Sequence, residues 1–137
     1  MKDSRRIAIV DDDEWVQRAL QDLLESEGLS TICFSSAEQF LESERRYAVD
    51  CIIADVCMPG MSGLELHAKL KNESFDISII FISAHSDPEK RALALREGAL
   101  EFLSKPFDNV VLLNTVHTAL ERSASAKHSD VDHSKEM

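Results

Sequence analysis

The sequence predicts an α/β fold, a doubly wound five-stranded parallel sheet with helices on both faces. Three observations carry that prediction. Five short, continuously apolar runs alternate with five segments of helical character, the pattern of strands buried on both sides. Parallel neighbours cannot be joined by a tight turn, so each strand needs a crossover, and the helical segments supply them. The 137 residues, 44% apolar with a mean hydropathy of −0.18, suit a single domain with enough apolar material for a core.

The elements follow in order. Ile7, Ala8, Ile9 and Val10 form the first apolar run. Residues 14–27 then place Val16, Ala19, Leu20, Leu23 and Leu24 at helical spacing before a stop at Gly28. Residues 31–34 read as the second strand. Ser36, with Gln39 three positions on, has the form of a capping box for a short helix carrying Phe40 and Leu41. Residues 51–54 form the third run, closed by Asp55. Met58-Pro59-Gly60-Met61-Ser62-Gly63 is turn chemistry, with Ser62 placed to cap a helix. Leu64, Leu66, Ala68 and Leu70 alternate with other residues, which alone suggests a strand. The cap, the helix-forming composition and the need for a crossover decide for a helix. Residues 77–82 are the fourth strand. Asp87-Pro88 opens a helix through Glu97, with Ala92, Leu95 and Ala99 as its core stripe, Leu93 off it, and Gly98 as the stop. Residues 101–103 are the fifth strand, and Asp108 caps a last helix striped by Val110, Leu113, Val116 and Leu120. Residues 1–121 are read as one domain and 122–137 as a polar tail or helix extension.

Charge narrows the function. There are 25 Asp and Glu against 15 Lys and Arg, a net −10 with a pI near 4.9. A surplus of carboxylates argues against direct nucleic-acid binding by this chain, which needs clustered cations. No apolar run approaches the roughly 18–20 residues of a membrane span, and the N-terminus lacks the form of a signal peptide. Three cysteines (Cys33, Cys51, Cys57) without metal-ligand spacing suit reduced thiols and a cytoplasmic location. Charges in the tail cancel, so the whole −10 lies in residues 1–121.

The densest acidity is Asp11-Asp12-Asp13-Glu14, directly after the first strand. In a doubly wound sheet, ligands bind beyond the carboxyl ends of the strands. Asp11 and Asp12 follow the first strand, Asp55 the third, Ser83 the fourth and Lys105 the fifth, so three carboxylates, a hydroxyl and an ammonium meet at one rim. Crowded carboxylates repel unless a cation or proton intervenes, and oxygen-only ligands suit Mg²⁺. A metal, a lysine and a hydroxyl around a lone carboxylate are the equipment for phosphoryl transfer, with Asp55 the best nucleophile candidate. Asp13 and Glu14 read instead as acids favoured at a helix start.

At this point a family resemblance becomes specific. Ile9-Val10-Asp11-Asp12-Asp13, Asp55 with Met58-Pro59-Gly60-Met61-Ser62-Gly63, Phe81-Ile82-Ser83-Ala84, Gly98-Ala99, and Phe102-Leu103-Ser104-Lys105-Pro106-Phe107 occur in order. With them residues 6–121 resemble the receiver domain of two-component response regulators, most nearly the FixJ type. The resemblance implies the flavodoxin-like strand order 2-1-3-4-5 and Asp55 as acceptor of a phosphoryl group from a sensor histidine kinase or phosphotransfer protein. It implies Mg²⁺ held by Asp12 directly, by Asp11 largely through water, by Asp55, and by the backbone carbonyl of Cys57. It implies Lys105 as partner of the phosphoryl group, followed by a cis bond to Pro106. Ser83 and Phe102 become a switch pair that resets the face of the fourth helix, fifth strand and fifth helix. Such a protein is no turnover enzyme. It acts through a downstream protein or an output domain absent from this chain, and a homodimer formed on phosphorylation is a further partner class, with Leu93 on the relevant face. His85 and Cys57 flank the acceptor and are expected to tune the phosphoryl lifetime. Trp15 stands beside the acid site. The spacing Asp11-x-Asp13 also occurs in haloacid-dehalogenase phosphatases, but Trp15 and the short chain depart from that pattern.

Overall fold

A computed structural model describes residues 5–85 and 87–136, with side chains through residue 123. The N-terminal residues 1–4, Ser86 and most of the expected polar tail's side chains lie outside that description. Five strands form: β1 (Arg6–Val10), β2 (Ser30–Phe34), β3 (Cys51–Asp55), β4 (Ser78–Ser83) and β5 (Glu101–Ser104). Five α-helices alternate with them: α1 (Glu14–Ser26), α2 (Ala37–Glu42), α3 (Gly63–Asn72), α4 (Pro88–Arg96) and α5 (Asn109–Glu136). All pairings are parallel and the order is β2-β1-β3-β4-β5, as the sequence and the resemblance led one to expect.

The continuous apolar runs are explained by the two-residue period of a strand. Ala8, Val10, Ile52, Ala54, Ile79 and Phe81 face one side, where they meet Phe40 of α2, Leu66 and Leu70 of α3 and Ala94 of α4. Their neighbours Ile7, Ile9, Cys51, Ile53, Ile80 and Ile82 face the other, against Leu20 and Leu24 of α1 and Leu112, Val116, Ala119 and Leu120 of α5. Each large side chain sealed in this way contributes about 1.5–3 kcal/mol.

Local chemistry sets the helix starts. Asp13, Ser36, Ser62 and Asp87 each accept a backbone N–H from the first turn of α1, α2, α3 and α4, and Asp108 accepts from Val110 and Val111 at the start of α5. The helix reading of residues 64–70 is correct. Gly63, Leu66, His67 and Leu70 are the buried positions, at helical spacing, while Ala68 is exposed.

Some details differ from expectation. Gln39 does not complete a capping box, because its carbonyl oxygen accepts from Ser35 rather than Ser36. Ala19 and Val110 are exposed, and the buried stripe of α5 runs through Leu112 instead. Of the stripe expected on α4, Ala99 is buried just past the helix, but Ala92 and Leu95 are exposed and only Ala94 within the helix is buried. A short helix at a sheet margin has room for one small contact, and hydropathy alone does not identify it. A 3₁₀ turn at Glu44–Ala48 was not anticipated.

Glycine is required at Gly63. A Cβ there would overlap the carbonyl oxygen of Asp55 and come within 3.1 Å of the Phe81 ring. At an open helix position Gly→Ala stabilises by roughly 0.5–1 kcal/mol; here the sign reverses. Gly63→Ala is expected to lower the unfolding free energy by about 1–3 kcal/mol in urea titration, and an unchanged or raised value would show that the close approach is absent.

Candidate functional site

The sheet's hydrogen bonds continue one step past the strands and fix the rim. Asp11 N–H donates to the Phe34 carbonyl at 3.0 Å, Val56 N–H to Ile82 at 3.0 Å, and Lys105 N–H to Ser83 at 2.7 Å. The backbone therefore delivers Asp11, Asp55 and Lys105 to one place despite their separation in sequence.

There the Lys105 ammonium lies 3.3 Å from Asp11 Oδ2 and 3.6 Å from Asp55 Oδ2. The free lone pairs are used as well. Asp55 Oδ1 accepts the Cys57 N–H at 3.2 Å, and Asp11 Oδ1 accepts the Asp13 N–H at 2.9 Å. Asp11 is fully buried and Asp55 nearly so, whereas Asp12 is exposed. Carboxylate oxygens of Asp11, Asp12 and Asp55 all lie within 4.8 Å of one another.

Burial raises the pKa of Asp11, and the charge of Asp55 adds to this; the Asp13 N–H and Lys105 oppose it. Burial likewise raises that of Asp55, assisted by Asp12 and opposed by Lys105 and the Cys57 N–H. One ammonium thus serves two acids whose burial favours the neutral form. An oxygen-only set of this kind fits a hard divalent cation such as Mg²⁺.

The other expected residues surround this centre. Ser83 is buried, but its hydroxyl donates to the His85 carbonyl at 2.8 Å and accepts the His85 N–H at 3.2 Å. It is thus engaged away from Asp55. Phe102 is 1% exposed, its ring inside the core. The Lys105–Pro106 bond is cis. The Cys57 thiol is exposed, with the Lys90 ammonium 3.7 Å from its sulfur. His85 is exposed, and Trp15 is 79% exposed at the start of α1.

Several supporting residues were not foreseen. Glu38 of α2 accepts the Met61 N–H at 3.1 Å and lies against Gly60, which takes a φ of +77°, so it holds the loop after Asp55. Gln17 donates its side-chain amide to the carbonyl of Asp11. Arg91 of α4 donates to the carbonyl of Phe102 and pairs with Glu101 at 3.4 Å. These are long-range contacts from ordinary polar residues, and no local motif announces them. Gln17, one helical turn after the acid run, carried the most accessible hint.

Comparison with known proteins gives a consistent result. The response regulator receiver domain profile matches residues 7–117. Response regulator protein TodT of Pseudomonas putida is 46% identical over 115 residues, which is 84% of this chain and 51% of TodT. Transcriptional regulatory protein FixJ of Azorhizobium caulinodans is 38% identical over 124 residues, 90% of this chain and 59% of FixJ. The chain thus spans a little over half the length of these relatives. Among solved structures, response regulator StyR superposes with a TM-score of 0.89 at 36% identity, covering 97% of this chain and 67% of StyR. A receiver domain protein from Clostridium thermocellum gives 0.82 at 27% identity, covering 89% and 98%.

The raised pKa values have a defined sign. A carboxyl that binds its proton more tightly when folded contributes stability below the ordinary carboxylate range and loses it as pH rises through the raised value. At neutral pH the ionised pair therefore opposes folding. Asp11→Asn is expected to raise the thermal midpoint of the metal-free chain at pH 7 by about 3–5 °C, the shift that roughly 1 kcal/mol produces at this size. Added Mg²⁺ should stabilise the wild type more than the variant. A lowered midpoint would mean that the pairing with Lys105 outweighs the repulsion.

Proposed function

Because the chain belongs to the response regulator receiver family, we propose that Asp55 accepts a phosphoryl group from a phosphohistidine of a sensor histidine kinase or phosphotransfer protein. The observation that carries this reading is the single ammonium shared by two buried carboxylates, one of which heads an open loop. Receiver domains are signalling proteins rather than turnover enzymes, and the receiver unit is taken as residues 1–121, with residues 122–137 as a polar tail or helix extension.

In the transfer, an Asp55 carboxylate oxygen attacks phosphorus, the P–N bond breaks, and its electron pair returns to the partner's imidazole. Lys105 holds the Asp55 charge before attack and is within reach of the new phosphoryl oxygens after it. The Cys57 N–H fixes the other Asp55 oxygen, which leaves Oδ2 to react. Receiver domains bind Mg²⁺ at an acidic pocket of this kind; here Asp11, Asp12, Asp55 and the Cys57 carbonyl would hold it, and when bound it offsets charge on the carboxylates and the phosphoryl oxygens.

Ser83 then reports the reaction. Its hydroxyl leaves the His85 carbonyl and donates to a phosphoryl oxygen, which releases the loop before α4. Phe102 lies on the neighbouring strand β5, two positions before Ser104, the register partner of Ser83, and Arg91 ties the Phe102 carbonyl to α4, so the change is passed to the face of α4, β5 and α5. Leu93 and Leu95 are exposed on α4, where a downstream partner or a second copy would pack. Some relatives carry the name of transcriptional regulatory proteins, and we propose an output module or protein target of that kind, acting in the cytoplasm. No helix among the described residues is long and apolar enough to cross a membrane.

Incubation with acetyl phosphate and Mg²⁺ is expected to add the mass of one phosphoryl group. The gain should be absent with a chelator and in Asp55→Ala; labelling that survives Asp55→Ala would remove the proposal. His85→Ala and Cys57→Ala are each expected to change the decay rate of the labelled protein several-fold, and unchanged decay in both would leave these residues without a role in phosphoryl lifetime.

A further inference from the structure

His67 is a buried titratable group that the phosphoryl chemistry does not use. It sits on the inner side of α3, 7% exposed. Its ring and that of Phe81 make an edge-type contact, 5.8 Å between centroids and 67° between planes. Phe81 is the register partner of Phe102 across β4 and β5, with ring centroids 6.5 Å apart. The three rings form a row from α3 to the ring on β5.

Beside His67 lies a groove of about 410 Å³, lined in part by Lys71, Phe75, Asp76 and Glu97. One helical turn past His67, the Lys71 ammonium reaches across it to the Glu97 carbonyl at 2.8 Å and to its carboxylate at 3.0 Å. This tie holds the end of α3 to the end of α4. It matters because α4 puts only Ala94 into the core.

We propose that His67 is a proton-sensitive link between the α3–α4 groove and the Phe102 ring. In the neutral form the imidazole packs against the Phe81 ring. A protonated ring cannot stay there. It would be a cation held out of water with the Lys71 ammonium close by. On its own helix the charged neighbour is Lys71, at the end of α4 it is Glu97 with Arg96 adjacent, and in the loop before β4 it is Asp76, which lines the same groove; on β4 it meets the uncharged Phe81 ring. The favourable move is into the groove towards Glu97, in competition with Lys71. That move withdraws the imidazole from Phe81 and weakens the tie on α4 together.

The direction of titration agrees. Burial lowers the His67 pKa, Lys71 lowers it further, and Glu97 partly opposes them. A histidine depressed in the fold contributes full stability above its ordinary value of about 6.5 and loses it as pH falls below that value.

The link does not depend on Asp55 being a phosphoacceptor, so its test uses the full chain without metal or phosphoryl donor. Aromatic side-chain NMR is recorded from pH 8 to pH 5.5 on the wild type, His67→Phe and His67→Gln. His67 is expected to titrate below 6.5, with the Phe81 and Phe102 ring signals following at the same midpoint. Both variants should lose that component while keeping any part driven by Asp11 and Asp55. A Phe102 profile unchanged in either folded variant overturns the link. So does a wild-type Phe102 response whose midpoint differs from that of His67, a result that needs no variant to fold.

Discussion

Two carboxylates removed from water share one ammonium, and most of the structure serves to keep them there. Asp11, Asp55 and Lys105 come from the ends of β1, β3 and β5, and Lys105 pairs with Asp11 across 94 residues of sequence. Each acid alone would protonate or move outward. They stay because the next backbone amide along is bonded into the sheet: Asp11 to Phe34, Val56 to Ile82, Lys105 to Ser83. Breaking any of these would leave a buried polar group unpaired at about 1–3 kcal/mol. The sheet therefore holds a repulsive pair at fixed spacing, which is the condition for a site that gains from added positive charge or from covalent change.

The order β2-β1-β3-β4-β5 follows from the same demand. It puts β1 and β3 side by side, so their terminal acids are neighbours, and it puts β4 and β5 on one flank, so the hydroxyl of Ser83 and Lys105 approach from that side. The burial of both faces is what makes the rim rigid. Ile53 and Ile9 on one face, with Ala54 and Val10 on the other, leave β1 and β3 no freedom to tilt. Gly63 then lets α3 start directly against the Asp55 carbonyl, and the capping box of Ser62 and Glu65 fixes that start.

The fold was legible because a strand buried on both faces needs an unbroken apolar run, and five such runs are present. The site was legible for a related reason: charged residues immediately after such runs have no structural cause of their own. What escaped the sequence was partner choice. Ala94 rather than Ala92 or Leu95 enters the core because the contact of α4 is a single small residue, and composition does not single it out. Glu38 on Met61, Gln17 on Asp11 and Arg91 on Phe102 are polar pairs formed across the fold, whose members look like any solvated residue. His67 was missed because a histidine among Leu66, Ala68 and Leu70 carries no local mark of burial; only the facing Phe81 supplies its environment.

The uneven burial of the helices has a physical consequence for how a local charge change could spread. Helix α1 buries Leu20 and Leu24, and α5 buries four apolar side chains, so displacing either would cost several contacts of about 1.5–3 kcal/mol each. Helix α4 buries one alanine, with Leu93 and Leu95 left in water. Its remaining ties are polar: Lys71 to Glu97 at one end, and Arg91 to Phe102 and Glu101 in its first turns. Exposed ion pairs of this kind contribute up to about 1 kcal/mol each. A charge change at Asp55, only one loop away through Ser83 and His85, therefore has to overcome far less to move α4 than to move any helix on the opposite face. The weak attachment of α4 gives the rim a direction in which to act, because the stiff core blocks the alternatives.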